Sequence, residues 1–219
     1  MKLLLTSAGI TNESIKSALR ELLGKEFKDA KAVYIPTAAM AESGNHDWLV
    51  SDLNRLYDLG WGEFNVLELN GLPKELIVKR LQNADVMYGG GGNVYHLARS
   101  IIDNGLVDDF RQILTDKVYV GASAGSMLFS KNLTERTAAL FGETDELYQI
   151  KQKEAVSPFN LFDWYVKPHM YSLEERDDAW LGSIAGKIDF PVYAIDDQTA
   201  IKVVDGKIEV ISEGRWKLI

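Results

Sequence analysis

Gly121-Ala122-Ser123-Ala124-Gly125 reads G-x-S-x-G directly after the apolar run Val118-Tyr119-Val120. A serine between small residues, leaving a strand and entering a helix, has the layout of a nucleophile elbow. Ser123 is the candidate nucleophile, and the backbone N–H of Ala124 a candidate donor to a developing oxyanion. A second glycine turn, Gly89-Gly90-Gly91-Gly92-Asn93, follows Asp85-Val86-Met87-Tyr88. Bare backbone suits close approach to a ligand. It could bind phosphate at a helix N-terminus, but G-x-G-x-x-G is not met and no Walker lysine follows. The other role is a second oxyanion donor, from the N–H of Gly91 or Gly92, with Asn93 beside it as a substrate contact. Each turn also has a plainer reading, as a small-residue bend that permits tight packing.

A serine nucleophile needs a base, and the chain has three histidines, His46, His96 and His169. His96 falls one turn inside a helical pattern and His46 in a polar loop. His169 follows Val166-Lys167-Pro168 at the carboxyl end of a strand, where catalytic groups gather, and is the candidate base. The third member should be a carboxylate that orients the imidazole. Asp196 and Asp197 end the run Val192–Ile195, and alternation along a strand lets only one of them point usefully. The chain order Ser, His, Asp departs from the Ser, Asp, His order of α/β-hydrolases. A different fold must therefore reach the same geometry.

The elements that would carry these residues alternate between β-rich runs and helical periodicity. Strands are expected at Leu3–Leu5, Ala32–Ile35, Asn65–Leu69, Asp85–Tyr88, Val118–Val120, Trp164–Val166 and Val192–Ile195. Helices are expected at Ser14–Leu23, Trp48–Leu59, Pro73–Asn83, Val94–Asn104, Leu106–Leu114 and Glu174–Ile188. Such alternation implies right-handed crossovers. The predicted fold is α/β and three-layered, a mostly parallel sheet with helices on both faces and an active site at the strand ends. Asp205-Gly206 between Ala200–Val204 and Lys207–Ile211 is a strong hairpin signal, adding an antiparallel C-terminal edge. Residues 131–162 show little periodicity and read as an inserted loop, a lid or a pocket wall. Residues 1–219 read as a single domain.

Composition narrows the chemistry. Acidic residues outnumber basic ones 32 to 24, a net charge of -8, which gives no general attraction to nucleic acid. There is no cysteine, so thiol nucleophiles, disulfides and thiolate-bound metals are excluded. The apolar run at Leu3–Leu5 is too short for a signal peptide or a membrane span. A cytoplasmic protein is expected, with no nucleic-acid or membrane partner. A homo-oligomer remains open.

Tyr34-Ile35-Pro36-Thr37-Ala38, the glycine-asparagine turn, Gly121–Ser126, Lys167-Pro168-His169 and Ala194-Ile195-Asp196-Asp197 occur in the order seen in the peptidase E family, which the chain resembles over nearly its whole length. That family includes α-aspartyl dipeptidase and cyanophycinase. The resemblance implies a fold like the class I glutamine amidotransferase domain. It implies Ser123 as nucleophile, His169 as base, oxyanion donors from Ala124 and the glycine turn, and no metal or organic cofactor. Aspartyl dipeptidases carry glutamate at the third triad position, where this chain offers Asp197, so the shorter carboxylate must come closer to the histidine. They also carry an arginine after the base that anchors the substrate aspartate, and Arg176 falls near that place. The implied activity is a serine exopeptidase cutting short, aspartyl peptides. An esterase or thioester hydrolase, or a non-catalytic binding homologue, are the alternatives.

Overall fold

The structure, a computed structural model, describes residues 1–152, 154–172 and 175–219. In chain order it forms β1 (Lys2–Thr6), α1 (Glu13–Leu23), β2 (Lys31–Ile35), α2 (Asp47–Tyr57), β3 (Glu63–Val66), α3 (Lys74–Asn83), β4 (Val86–Gly89), α4 (Val94–Asp103), α5 (Val107–Ile113) and β5 (Val118–Ala122). There follow α6 (Ala124–Met127), α7 (Glu135–Phe141), α8 (Thr144–Gln149), β6 (Tyr165–Lys167), α9 (Asp178–Ala185), β7 (Val192–Ile195), β8 (Thr199–Val204), β9 (Lys207–Ser212) and β10 (Trp216–Leu218).

The main sheet runs β3-β2-β4-β5-β1-β8-β9. Its first five strands are parallel, and β8 and β9 are antiparallel additions. The inner strands β4 and β5 are buried at every position, as expected where both faces are covered. The pleat sorts their side chains. Leu3, Leu5, Val33, Ile35, Met87 and Tyr119 face one core with Ile77, Leu97 and Phe110 of α3, α4 and α5. Leu4, Tyr34, Val86, Tyr88 and Val120 face the other, with Ile15, Leu19 and Leu56 of α1 and α2. The result is three layers. Asp205 and Gly206, with φ of 47° and 84°, turn β8 into β9 as the sequence predicts. Among the described residues no helix is long and apolar enough to cross a membrane.

Three expectations change. First, β6 and β7 do not extend the main sheet. They pair in parallel with each other, and β10, which sequence patterning does not reveal, joins β7 antiparallel to make a separate three-stranded sheet. The reason lies at β1: β8 takes its free edge, so no edge of the parallel sheet is left there for β6.

Second, residues 131–162 are not a structureless insert. Thr134 caps α7 by accepting the N–H of Thr137, and Gly142 ends it at φ 71°. Phe141 then stacks on Tyr165 of β6 at 5.5 Å, and Phe129 stacks on Phe159 at 5.0 Å. These helices are too short to show a period, although their caps are readable.

Third, several bounds move. The strand expected at 65–69 is Glu63–Val66. Leu67 and Leu69 are buried in the chain that follows it, so their apolarity reflects packing rather than pairing. The last helix begins at Asp178 and ends at Ala185, because Asp177 caps it by accepting the N–H of Trp180 at 2.8 Å. Glu174, where its start was expected, lies outside the described residues.

Two glycines separate tight packing from open space. A Cβ on Gly125 would overlap the Gly89 carbonyl, whereas one on Gly182 of α9 would meet nothing within 4 Å. Gly125→Ala is expected to lower stability by about 1–3 kcal/mol through overpacking. Gly182→Ala should raise it by about 0.5–1 kcal/mol through helix propensity. Urea denaturation midpoints of the two variants check both signs.

Candidate active site

At the carboxyl end of β5 the chain turns through Ser123 with φ 49° and ψ -109°, a conformation that L-residues adopt only under constraint. The constraint comes from backbone contacts on both sides. The Ser123 N–H donates to the Thr6 carbonyl at 3.1 Å, and the Ser126 N–H donates to the Ser123 carbonyl at 2.8 Å. Thr6 Oγ1 donates to the Gly121 carbonyl and Ser126 Oγ to the Thr6 carbonyl, each at 2.7 Å. A Cβ on Gly121 would sit 2.6 Å from the Gly125 carbonyl carbon. The glycines of G-x-S-x-G are therefore required where α6 folds back over its strand.

Ser123, His169 and Asp197 come together. His169 Nε2 lies 2.9 Å from Ser123 Oγ, and His169 Nδ1 lies 2.8 Å from Asp197 Oδ1. Asp197 reaches the ring despite being one methylene shorter than a glutamate. Burial would raise its carboxyl, but hydrogen bonds from His169 and Ser7 and the imidazole charge outweigh this and hold it at about 2. An ionised Asp197 can only accept, so Nδ1 carries the proton and Nε2 is left to accept from the Ser123 hydroxyl. Asp196 turns the other way and binds Thr199 Oγ1 at 2.7 Å and the Gln198 N–H at 3.1 Å as a turn former.

Sequence reasoning missed Ser7. Its hydroxyl donates to Asp197 Oδ1 at 2.6 Å and accepts the His169 backbone N–H at 2.8 Å. The second bond holds His169 at φ 60°, a left-handed conformation unfavourable for histidine. The available signal was position: Ser7 follows a buried strand at the same sheet edge as Ser123.

Of the other candidates, Gly91 and Gly92 line the cavity beside Ser123. Their N–H groups meet no acceptor among the described residues. A Cβ on Gly91 would lie 3.5 Å from Ser123 Cβ, and Gly92, at φ 122°, has no room for one against the Ala38 carbonyl. Ala124 is the first residue of α6 and is buried. Two expectations are corrected. Asn93 does not line the cavity: it is fully buried and caps α4, with Oδ1 accepting the His96 N–H at 2.9 Å and Nδ2 donating to the Glu146 carbonyl at 2.8 Å. Arg176 does not line the cavity; its charge acts instead on Glu146 and Lys167. His46 is held by the Gly44 and Ala39 carbonyls.

The cavity at Ser123 has a volume of about 350 Å³. Ser7, Trp48 and Arg55 line it along with Ser123, Gly91 and His169.

The sequence profile of peptidase family S51 matches residues 3–211. The chain belongs to peptidase family S51. It is a peptidase, and hence a hydrolase. It is similar to Peptidase E of Nostoc sp. (strain PCC 7120 / SAG 25.82 / UTEX 2576), 26% identical over 95% of this chain and 84% of the relative. A Drosophila melanogaster protein named "Probable alpha-aspartyl dipeptidase" is 26% identical over 99% of this chain and 88% of its own length. Among solved structures, a candidate peptidase E from Listeria monocytogenes EGD-e superposes with a TM-score of 0.77 at 20% identity, covering 97% of this chain and 98% of the other. The S51 chain thus has the class I glutamine amidotransferase-like architecture that the resemblance implied.

Between about pH 4 and pH 2 the unfolded chain takes up a proton that folded Asp197 refuses. Asp197 therefore stabilises the fold above its ordinary value of 3.8, and that contribution is lost as the pH falls through about 2. Asp197→Asn should lose less stability than the parent between pH 5 and pH 2.5, measured as the shift in thermal midpoint.

Proposed function

We propose that this S51 peptidase is a serine exopeptidase that cleaves short peptides, N-terminal aspartyl peptides among them, through an acyl-enzyme. Ser123 Oγ attacks the scissile carbonyl carbon while His169 Nε2 takes its proton. Asp197 stabilises the imidazolium and fixes the tautomer. The tetrahedral oxyanion accepts hydrogen bonds from the N–H of Ala124 and from Gly91 or Gly92, each donor worth roughly 3 kcal/mol in the transition state. Collapse breaks the C–N bond, and His169 returns the proton to the leaving amine. A water, deprotonated by His169, then releases the acyl group from Ser123.

The observation that carries the proposal is the unbroken chain of hydrogen bonds from Ser123 through His169 to Asp197, at 2.9 and 2.8 Å. The strained elbow supports it, since strain at a hydroxyl facing a cavity needs a function to retain it. The aspartyl preference draws on the name of the Drosophila relative.

Ser123→Ala is expected to lower hydrolysis of Asp-X dipeptides by roughly 10⁴-fold or more with unchanged circular dichroism. A fluorophosphonate should label the parent at Ser123 and leave the variant unlabelled. Undiminished turnover by Ser123→Ala would remove the serine mechanism. Faster turnover of p-nitrophenyl esters than of any dipeptide would move the substrate class to esters.

A further inference from the structure

One hydroxyl is shared by the base and the acid of the triad. Ser7 Oγ accepts the His169 backbone N–H at 2.8 Å and donates to Asp197 Oδ1 at 2.6 Å. The same Oδ1 accepts the His169 Nδ1–H at 2.8 Å. A backbone N–H can only donate, so the hydroxyl's single proton is left for the carboxylate. The bonds close a ring, from the main chain of His169 through Ser7 to Asp197 and back through the imidazole. Donor and acceptor are fixed at every step of it.

Without that ring the imidazole would be poorly held. The side chains of His169 and Asp197 are 32% and 33% exposed, so water competes for the bond between them. Ser7 is completely buried, and its proton is a donor that water does not displace. His169 also sits at φ 60°, where a residue with a Cβ is strained. The Ser7 oxygen gives its N–H an acceptor in that conformation. Relaxation to a negative φ would swing the Cα–Cβ bond and carry Nε2 out of its 2.9 Å contact with Ser123 Oγ.

The turn that carries Ser7 is held by other groups. The Gly9 N–H donates to Thr6 Oγ1 at 2.8 Å, Thr11 Oγ1 to the Asp197 carbonyl at 2.6 Å, and Asn12 Nδ2 to the Gln198 carbonyl at 2.9 Å. Arg55 Nη2 donates to the Ala8 carbonyl at 3.1 Å. The Ser7 hydroxyl is therefore not needed by the turn and serves the triad. We propose that Ser7 is a positioning residue of the reaction: its hydroxyl keeps the His169 imidazole aimed at Ser123 by tying the histidine's own backbone to the carboxylate that orients its ring. The inference rests on the serine mechanism proposed above and adds a further side chain to it.

Variants of two side chains separate this role from general support of the fold. Ser7→Ala removes the hydroxyl, and Ser7→Cys keeps its shape with a thiol that donates and accepts weakly. Thr11→Val cuts a bond of the same length to the Asp197 main chain instead of its carboxylate. Each protein is read by its rate of fluorophosphonate labelling, by kcat and KM for Asp-Leu, and by the proton signal of the His169 Nδ1–H in 15N-histidine-labelled protein. Ser7→Ala is expected to slow labelling and lower kcat by roughly 10–100-fold, as for a lost hydrogen bond to a charged group. KM should hold, and the Nδ1–H signal should broaden by exchange with water. Ser7→Cys should fall between the parent and Ser7→Ala, and it carries the test if Ser7→Ala does not fold. Thr11→Val should lower the thermal midpoint and leave the Nδ1–H signal as sharp as the parent's. Unchanged labelling and kcat, a loss expressed in KM alone, an Nδ1–H signal that stays sharp without the hydroxyl, or an equal loss of kcat in Thr11→Val each overturns the proposal. A parent that takes up no fluorophosphonate and cleaves no dipeptide removes the serine mechanism instead. The Nδ1–H signal then decides the role of Ser7 alone: broadening in Ser7→Ala sustains its hold on the imidazole, and a sharp signal ends it.

Discussion

Two backbones at neighbouring strand ends approach each other more closely than side chains would allow, and the site follows from that approach. The α6 turn folds back so far that a Cβ on Gly125 would collide with the end of β4, and one on Gly121 would collide with α6 itself. Only glycine fits at either place. With both flanks fixed, Ser123 has no relaxed conformation available and is held at φ 49°, ψ -109°. Such a backbone costs roughly 1–3 kcal/mol. Here it is offset by the Thr6 and Ser126 hydrogen bonds, which belong to the same strand ends. The same approach brings the glycine turn after β4 alongside the hydroxyl, so that Gly91 abuts Ser123.

The turn after β1 is the second organiser. Ser7 joins Asp197 to the backbone of His169, Ala8 holds Arg55, and Gly9, at φ 82°, leaves room for Tyr88 and Asp52. Three consecutive residues therefore link the triad to the α2 wall. Because β1 lies between β5 and β8 in the sheet, the turn is seated where the elbow strand and the path to Asp197 converge. Nucleophile, base, acid and guanidinium are positioned against one rigid segment.

Much of this was legible in the sequence because it depends on local chemistry. G-x-S-x-G after a buried run, four successive glycines, and a histidine and an aspartate at strand ends each have a short-range reason to be where they are. The parallel strands were readable from short β-rich apolar runs alternating with helical periodicity, and the β8–β9 hairpin from Asp205-Gly206. What failed to show depended on partners distant in sequence. Asn93 looked like a binding residue, but its amide is consumed by the α4 cap and by Glu146, more than fifty residues away. Arg176 looked like an anchor by family resemblance, while the arginine that lines the cavity, Arg55, stands on α2, where periodicity marks it only as surface. The split into two sheets could not be seen either, because it is decided by which strand takes the free edge of β1.

The helices between 131 and 162 also acquire a purpose from a charge that β6 buries. Lys167, two residues before His169, is completely buried. Burial depresses its pKa, and Glu143 opposes that shift. An unpaired ammonium in such a place would cost several kcal/mol. Gly142 ends α7 at φ 71° and the next residue, Glu143, pairs with Lys167. Phe141 stacks on Tyr165 on the same strand. Glu146 on α8, raised to about 7 by burial and by the Glu143 charge, accepts Asn93 through its carbonyl. The segment is therefore a buttress on two sides: it compensates the buried lysine that leads into Pro168 and His169, and it braces the start of α4 just past the glycine turn. A structureless loop could do neither, since both contacts need groups held at fixed positions by their own caps.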